Sequence, residues 1–256
     1  MIHSKQLMSA STDYRARIYA NYVNARATPL APPTLAALEP RLRSILRPLV
    51  RRHFPSNRDA AILDLGCGHR GLLYALQQAG YRNARGVDSS PEQVAAAQRL
   101  GIDGVSQGEA LPTLHATAEA SLDVVVTFDV IEHLTKLELI PFVDAVHRAL
   151  RPGGRWIIHV PNGESPFGGK MRYGGLTHEL AFTRTSLTQL LMASGFSAVD
   201  CFEDRPEPHG LKSLVRAGLW RLIRASWLFY IAIETGNTDR RAIFSQNLLA
   251  VGTRGD

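Results

Sequence analysis

"ILDLGCGHRG", residues 62–71, decides how this chain is read. A short apolar run ends in glycines, which reads as a buried strand entering a tight loop. Gly66, Gly68 and Gly71 fit the G-x-G-x-x-G pattern of dinucleotide loops. Yet Asp64 stands two residues before the first glycine. A pyrophosphate beside it would meet a like charge, a repulsion of about 4 kcal/mol at 4 Å and an effective dielectric of ~20. A cationic ligand would not.

Strand and helix patterns alternate outward from this stretch. "GLLYALQQAG" is helical and stops at Gly80; "NARGVDSS" is a second strand; "PEQVAAAQRLG" is a helix opened by Pro91. "DGVSQGEA" is a third strand, "LDVVVTFDV" a fourth, "LIPFVDAVHRALRPGG" a helix and "RWIIHVPN" a fifth strand. "TRTSLTQLLMASGF", capped by Thr183 or Thr185, precedes "FSAVDCFED" as strand six, and "AIFSQNLLAVGTR" closes the pattern. This alternation predicts an α/β fold, a doubly wound, mostly parallel sheet with helices on both faces. Residues 1–59 read as a helical, basic extension and 60–256 as the main domain, with an insertion at about 205–242. In the extension, "STDYRARIYANYVNAR" carries Tyr14, Tyr19 and Tyr22, and Pro48 kinks or splits "LRSILRPLVRRHF".

Ligands of an open parallel sheet bind beyond the carboxyl ends of its strands. Strand one places Asp64 there, strand two Asp88, strand three Gln107, Gly108 and Glu109, and strand four Phe128 and Asp129. An acid such as Asp88 accepts both ribose hydroxyls of either an NAD-type or an adenosyl cofactor. Asp64 and Glu109 discriminate, because S-adenosylmethionine brings a sulfonium and an ammonium where a dinucleotide brings phosphates.

In "ILDLGCGHRG", "GVDSSPEQV", "GVSQGEALP", "LDVVVTFDVIEHL" and "RALRPGGRWIIHVPN", in that order, the chain resembles class I S-adenosylmethionine-dependent methyltransferases. The likeness runs over roughly residues 60–162 and extends to about 204. It implies the Rossmann-like methyltransferase fold, with seven strands and an antiparallel last one, and S-adenosylmethionine as cofactor. By position it implies Asp64, Gly66, Cys67 and Gly68 along the methionine part, and Asp88 and Ser89 at the ribose. Gly108, Glu109 and Ala110 would border the adenine, and Phe128 and Asp129 would stand where cofactor meets substrate. One departure is Arg70, where many members have a third glycine; Gly71 then reads as close helix packing.

Methyl transfer to a hydroxyl calls for a base, and histidine serves near neutral pH. His178, just after the glycine-rich "GESPFGGKMRYGG", is the first candidate and His133 the second; His159 reads as core. Lys170, Arg172 and Tyr173 in that loop suit an acidic or phosphorylated substrate, or are simply solvated. Asp129, Glu132 and His133 stand at i, i+3, i+4, so a divalent ion could bridge them to a substrate oxygen. The simpler reading is preferred: Asp129 stays at the strand end, Glu132 caps the next helix, and no metal is expected.

The segment "GESPFGGKMRYGGLTHELAFT" and the following insertion also resemble methyltransferases of bacterial polysaccharide and glycolipid assembly. The expected reaction is therefore O-methylation of a sugar, glycan or related hydroxyl, with a quinone- or phenol-type acceptor as the alternative. From other classes, an NAD-dependent oxidoreductase and an inactive cofactor-binding partner protein are carried.

Net charge is +6 and the isoelectric point about 9.6, but the cations are spread along the chain, which gives no nucleic-acid tail. The N-terminus lacks a secretory apolar region, and Cys67 and Cys201 are too far apart for metal-type spacing, so a reducing cytoplasm is expected. Residues 211–234 interleave Lys212, Arg216, Arg221 and Arg224 with Leu214, Trp220, Ile223, Trp227 and Phe229. Three roles are read there: a lid over the site, a homodimer face, and peripheral contact with the inner membrane.

Overall fold

The computed structural model describes residues 14–19, 34–68, 71–205 and 207–256. Arg70, Tyr22 and the proposed cap at Ser11 or Thr12 lie outside them. The described elements begin with α1 (Tyr14–Tyr19), α2 (Glu39–Arg41) and α3 (Arg47–His53). A π-type turn at Leu42–Leu46 separates the last two, and Pro48 sits in the first turn of α3, where its missing N–H costs nothing.

The alternating region follows: β1 (Ile62–Leu65), α4 (Gly71–Gln78), β2 (Ala84–Asp88), α5 (Pro91–Arg99), β3 (Val105–Gln107), α6 (Ala110–Ala116) and β4 (Leu122–Phe128). Then come α7 (Lys136–Ala149), β5 (Leu150–Pro161), α8 (Gly168–Arg172), α9 (Arg184–Ala193), β6 (Phe196–Glu203), α10 (Leu211–Thr235) and β7 (Asn247–Arg254). The seven strands lie in the order β3-β2-β1-β4-β5-β7-β6. All neighbours are parallel except β7, which runs antiparallel to both β5 and β6. The chain reverses its direction of winding between β1 and β4, and a crevice opens where the two strands end.

Alternation along the strands supplies two cores. Leu63 and Leu65 of β1 and Val125 of β4 face one layer with Phe142, Val146, Trp156 and Leu187. Ile62, Val124 and Val126 face the other, with Leu72, Leu73, Leu76 and Ala97. Both faces are buried, which is why these strands read as unbroken apolar runs. Trp156 is fully buried, and its indole N–H is satisfied by Thr127 Oγ1 at 3.0 Å.

Leu38, Leu42, Leu46, Leu49 and Val50 pack into the second layer. A Cβ on Gly71 would come within 2.9 Å of Leu46, so the third glycine of the loop serves close helix packing. Thr183, not Thr185, caps α9, taking the Ser186 N–H. Three local expectations need correction. Glu109 stands before an unexpected helix, α6. Residues 131–133 form a 3-10 turn ahead of α7, so Glu132 does not stand at that helix's cap. The glycine-rich loop contains the short helix α8.

Candidate active site

The loop after β1 is shaped by its backbone. Gly66 and Gly68 adopt φ of +66° and +55°, a region that glycine enters freely. The N–H groups of Gly66 and Cys67 both donate to Val87 O, at 2.8 and 3.1 Å. The Gly68 N–H donates to Asp88 Oδ2 at 2.7 Å, and the Ser90 N–H to Asp88 Oδ1 at 2.8 Å. Asp88 thus ties the glycine loop to the start of α5, whose N-cap is Ser90. Asp64 is buried at the root of the loop.

These groups line a cavity of about 950 Å³. Every residue expected at the cofactor lies on its wall: Asp64, Gly66, Cys67 and Gly68 from β1, Asp88 and Ser89 from β2, Gly108, Glu109 and Ala110 from β3, and Phe128 and Asp129 from β4. His133 and His178 line it as well. Arg15, Arg41 and Lys170 also reach the wall; of these the sequence pattern singles out only Lys170. Arg172 points elsewhere and gives its guanidinium to the carbonyls of His178 and Glu179, while Tyr173 is 81% exposed.

Asp129 has φ of +55°, outside the usual range for a residue with a side chain. Its N–H donates to His159 O at 2.9 Å, and its Oδ1 lies 2.8 Å from His159 Nδ1. His159 Nε2 faces Asp204 Oδ2 at 3.5 Å, and the ring stacks on Phe128 at 4.2 Å. Burial alone would drive the imidazole pKa down; the two carboxylates outweigh it and raise it to about 9. Asp129 is likewise held below its ordinary value: burial opposes this, and the His159 bond prevails. His159 is buried, as the sequence implied, but as a cation clamped between two acids. No local sequence signal points to Asp204, because it stands beyond β6, 45 residues from His159.

Glu132 does not cap α7. Thr135 does, in a capping box with Glu138. The Glu132 side chain is fully buried, with both oxygens lacking a hydrogen-bond partner among the described residues. Burial, and then the charge of Asp129, raise its pKa to about 8. Its backbone carbonyl accepts the N–H groups of Glu179 and Leu180, at 2.8 and 2.9 Å. That fastens the segment bearing His178 to the turn bearing His133.

The two imidazoles meet edge to face, 4.8 Å between centroids. His133 Nδ1 lies 3.1 Å from Thr177 O, and His178 Nδ1 lies 3.0 Å from Met171 O. A carbonyl only accepts, so each Nδ1 carries the proton and each Nε2 is the basic nitrogen. Burial, and then His178, lower the His133 pKa to about 4. Glu132, His133 and His178 each offer a ligand atom, all within 4.8 Å of one another, so these three could hold a metal ion. On the rim, Arg15 meets Glu138 at 2.8 Å and the Tyr14 hydroxyl donates to Glu179.

Residues 38–200 match the family described as the methyltransferase domain. The chain belongs to that family. A probable S-adenosylmethionine-dependent methyltransferase of Mycolicibacterium smegmatis is 38% identical over 82 residues, 32% of this chain and 31% of that protein. The match thus spans about a third of the relative's length. Among solved structures, an Archaeoglobus fulgidus SAM-dependent methyltransferase aligns with a TM-score of 0.62 at 20% identity, covering 81% of this chain and 92% of that one. A Haemonchus contortus phosphoethanolamine N-methyltransferase in complex with S-adenosyl-L-methionine aligns at 0.57 and 17%, covering 82% and 52%.

The Mycolicibacterium smegmatis relative is named for S-adenosylmethionine, and the loop of this chain suits that cofactor. A Cβ on Gly66 would fall 2.5 Å from Val130, whereas Gly68 faces open space, so the glycines keep backbone next to the cavity. Asp64 and Glu109 put carboxylates on the wall beside the loop, which favour a cation there and disfavour a pyrophosphate. The dinucleotide alternative falls with this family and these charges.

Proposed function

We propose that this methyltransferase transfers the methyl group of S-adenosylmethionine to a hydroxyl of a sugar, glycan or related metabolite, with His178 as base. The observation that carries this reading is the meeting of His133 and His178 on the cavity wall, each fixed as the Nδ1–H tautomer by a backbone carbonyl. A hydroxyl nucleophile requires a proton acceptor, and a neutral amine does not. His133, held at a pKa of about 4, is a weak base. That leaves His178, with His133 packed edge-on to orient it. When bound, the cofactor supplies an electrophilic methyl on a sulfonium. The chain's own part is to align the acceptor oxygen, exclude water and receive the hydroxyl proton at His178 Nε2. The carboxylates of Asp64, Asp88 and Glu109 would hold the cofactor's cationic and hydroxyl groups. Lys170 on the wall suits an acceptor carrying an acidic or phosphorylated group.

One observation favours a second, metal-assisted form of the same chemistry. The buried Glu132 carboxylate faces two imidazoles whose Nδ1 protons are already given to carbonyls, a common second shell for metal-bound histidine. A divalent ion there would polarise the acceptor hydroxyl.

The test is transfer of isotopically labelled methyl from S-adenosylmethionine to sugars, nucleotide sugars, catechols, quinols and amines. We expect label in a sugar methyl ether. We also expect His178→Ala to lower turnover by about 100-fold or more with cofactor affinity kept. Label on a catechol or quinol would favour the phenol-type acceptor. Label only on amines, or full turnover in His178→Ala, would overturn the hydroxyl reading.

A further inference from the structure

The helix α10 buries little of itself. Ser213 and Ala217 are its buried residues. Arg224 anchors the same side, paired with Glu203 at 3.3 Å and bonded to the carbonyls of Arg240 and Ala242. Trp220 adds a bond from its indole N–H to Glu203 Oε2 at 3.2 Å. At about 100° per residue, the opposite side presents Leu211, Val215, Leu222, Phe229 and Ile233, which recur every four or seven positions. They form one continuous stripe facing solvent, with Leu211 79%, Phe229 70% and Ile233 73% exposed. A folded soluble surface rarely leaves an apolar row of this length uncovered.

Its borders are basic. Lys212 and Arg216 lie along one edge and Arg221 along the other, all exposed. Glu234, in the last turn, is the helix's one acid. No helix among the described residues is long and apolar enough to cross a membrane. The sidedness fits a helix lying in the plane of a bilayer instead. There the apolar row sinks among the acyl chains, and the flanking cations rise to lipid phosphates.

A second copy of the chain fits less well. Stripe against stripe, the two helices would bring six outward cations together, with one acid each to offset them.

We propose that α10 docks this methyltransferase on an anionic lipid surface. β6 runs parallel to β5, since both pair antiparallel with β7, so α10 starts from the rim on which the cavity opens. Docking therefore holds the catalytic rim tethered to the bilayer. The proposal does not depend on which acceptor is methylated.

Flotation of the full chain with vesicles tests it. The protein is expected to float with phosphatidylcholine vesicles containing roughly 30% phosphatidylglycerol, and much less with phosphatidylcholine alone. Phe229→Glu/Ile233→Glu should lower the bound fraction about tenfold, with an unchanged melting curve because both side chains are exposed. Lys212→Ala/Arg216→Ala/Arg221→Ala should abolish the preference for the anionic vesicles. Failure of the wild type to float overturns the proposal, as does equal binding to both vesicles. Flotation that survives the double glutamate variant places the contact elsewhere and also overturns it. A dimer in sedimentation that the same variant dissolves, without flotation, would assign the stripe to a second copy.

Discussion

Asp129 and His159 are joined twice, Oδ1 to Nδ1 at 2.8 Å and backbone N–H to carbonyl at 2.9 Å. The double link holds Asp129 in its left-handed conformation at the mouth of β4, and Asp204 closes the far side of the ring. The side chain that faces the cavity is thereby fixed by a residue one strand away.

The link has a pH signature. His159 is raised from 6.5 to about 9 in the folded protein. A raised imidazole contributes stability fully below its unfolded value, and the contribution is lost as pH rises through the folded value. Thermal stability should therefore decline between about pH 6.5 and 9. Asp129→Asn should flatten that decline and bring the His159 titration, read by NMR of its ring protons, back towards 6.5. A His159 resonance that titrates near 6.5 in the wild type would refute the clamp.

Glu132 predicts a second slope of the same sign by a different route. Its buried acid keeps its proton to about pH 8, while the unfolded chain ionises near 4.5. The folded state is thus progressively disfavoured from pH 4.5 to 8. Glu132→Gln, an uncharged group of the same shape, should remove this slope and melt higher than the wild type at pH 8. If a divalent ion occupies Glu132, His133 and His178, the acid is ionised instead. Mg²⁺, Mn²⁺ or Zn²⁺ should then raise the wild-type melting temperature, leave Glu132→Gln unmoved, and be lost to a chelator. Melting curves with and without EDTA separate the two outcomes.

Short-range patterns carried most of the architecture. Apolar runs placed β1, β4 and β5, and Pro91 and Gly80 marked helix ends through local backbone constraints. The cofactor rim was legible for the same reason, since each strand contributes its own last residues. What escaped depended on distant partners. Asp204 meets His159 across 45 residues. Glu132 looks like a helix cap, yet its carbonyl takes the N–H groups of Glu179 and Leu180 and its side chain is fully buried. The leucines of residues 38–50 read as an appended helix, yet they fill the layer beneath α4. Hydrophobic spacing does not reveal which layer a helix will cover.

Asp88 should govern the cofactor loop as a whole. Its two oxygens hold the Gly68 and Ser90 N–H groups, so the carboxylate positions the loop as well as facing the cavity. Bonds from the cofactor's ribose hydroxyls to this charged group would contribute about 1.5–3 kcal/mol each. Asp88→Ala should therefore weaken S-adenosylmethionine binding by at least about 100-fold in calorimetry. Near-normal affinity would mean that the cofactor does not use this strand end.

The two loop glycines give the sharpest comparison, because they share a conformation and differ in surroundings. An L side chain in the left-handed region costs about 1–2 kcal/mol, so both Gly66→Ala and Gly68→Ala should lose that much stability. Beyond this strain they part. A methyl on Gly66 lands 2.5 Å from Val130 Cγ2, below any contact that real side chains make, so Val130 or the loop must move. Val130 follows Asp129, and its displacement would disturb the Asp129–His159 link as well. A methyl on Gly68 meets nothing within 4 Å and would project into space available to the cofactor. Gly66→Ala should therefore lower the melting temperature more than Gly68→Ala and shift the His159 titration downward. Gly68→Ala should melt nearer the wild type, leave that titration in place, and lose cofactor affinity. Equal melting temperatures for the two variants, with an unmoved His159 resonance in Gly66→Ala, would show that the loop absorbs the methyl without passing strain to β4.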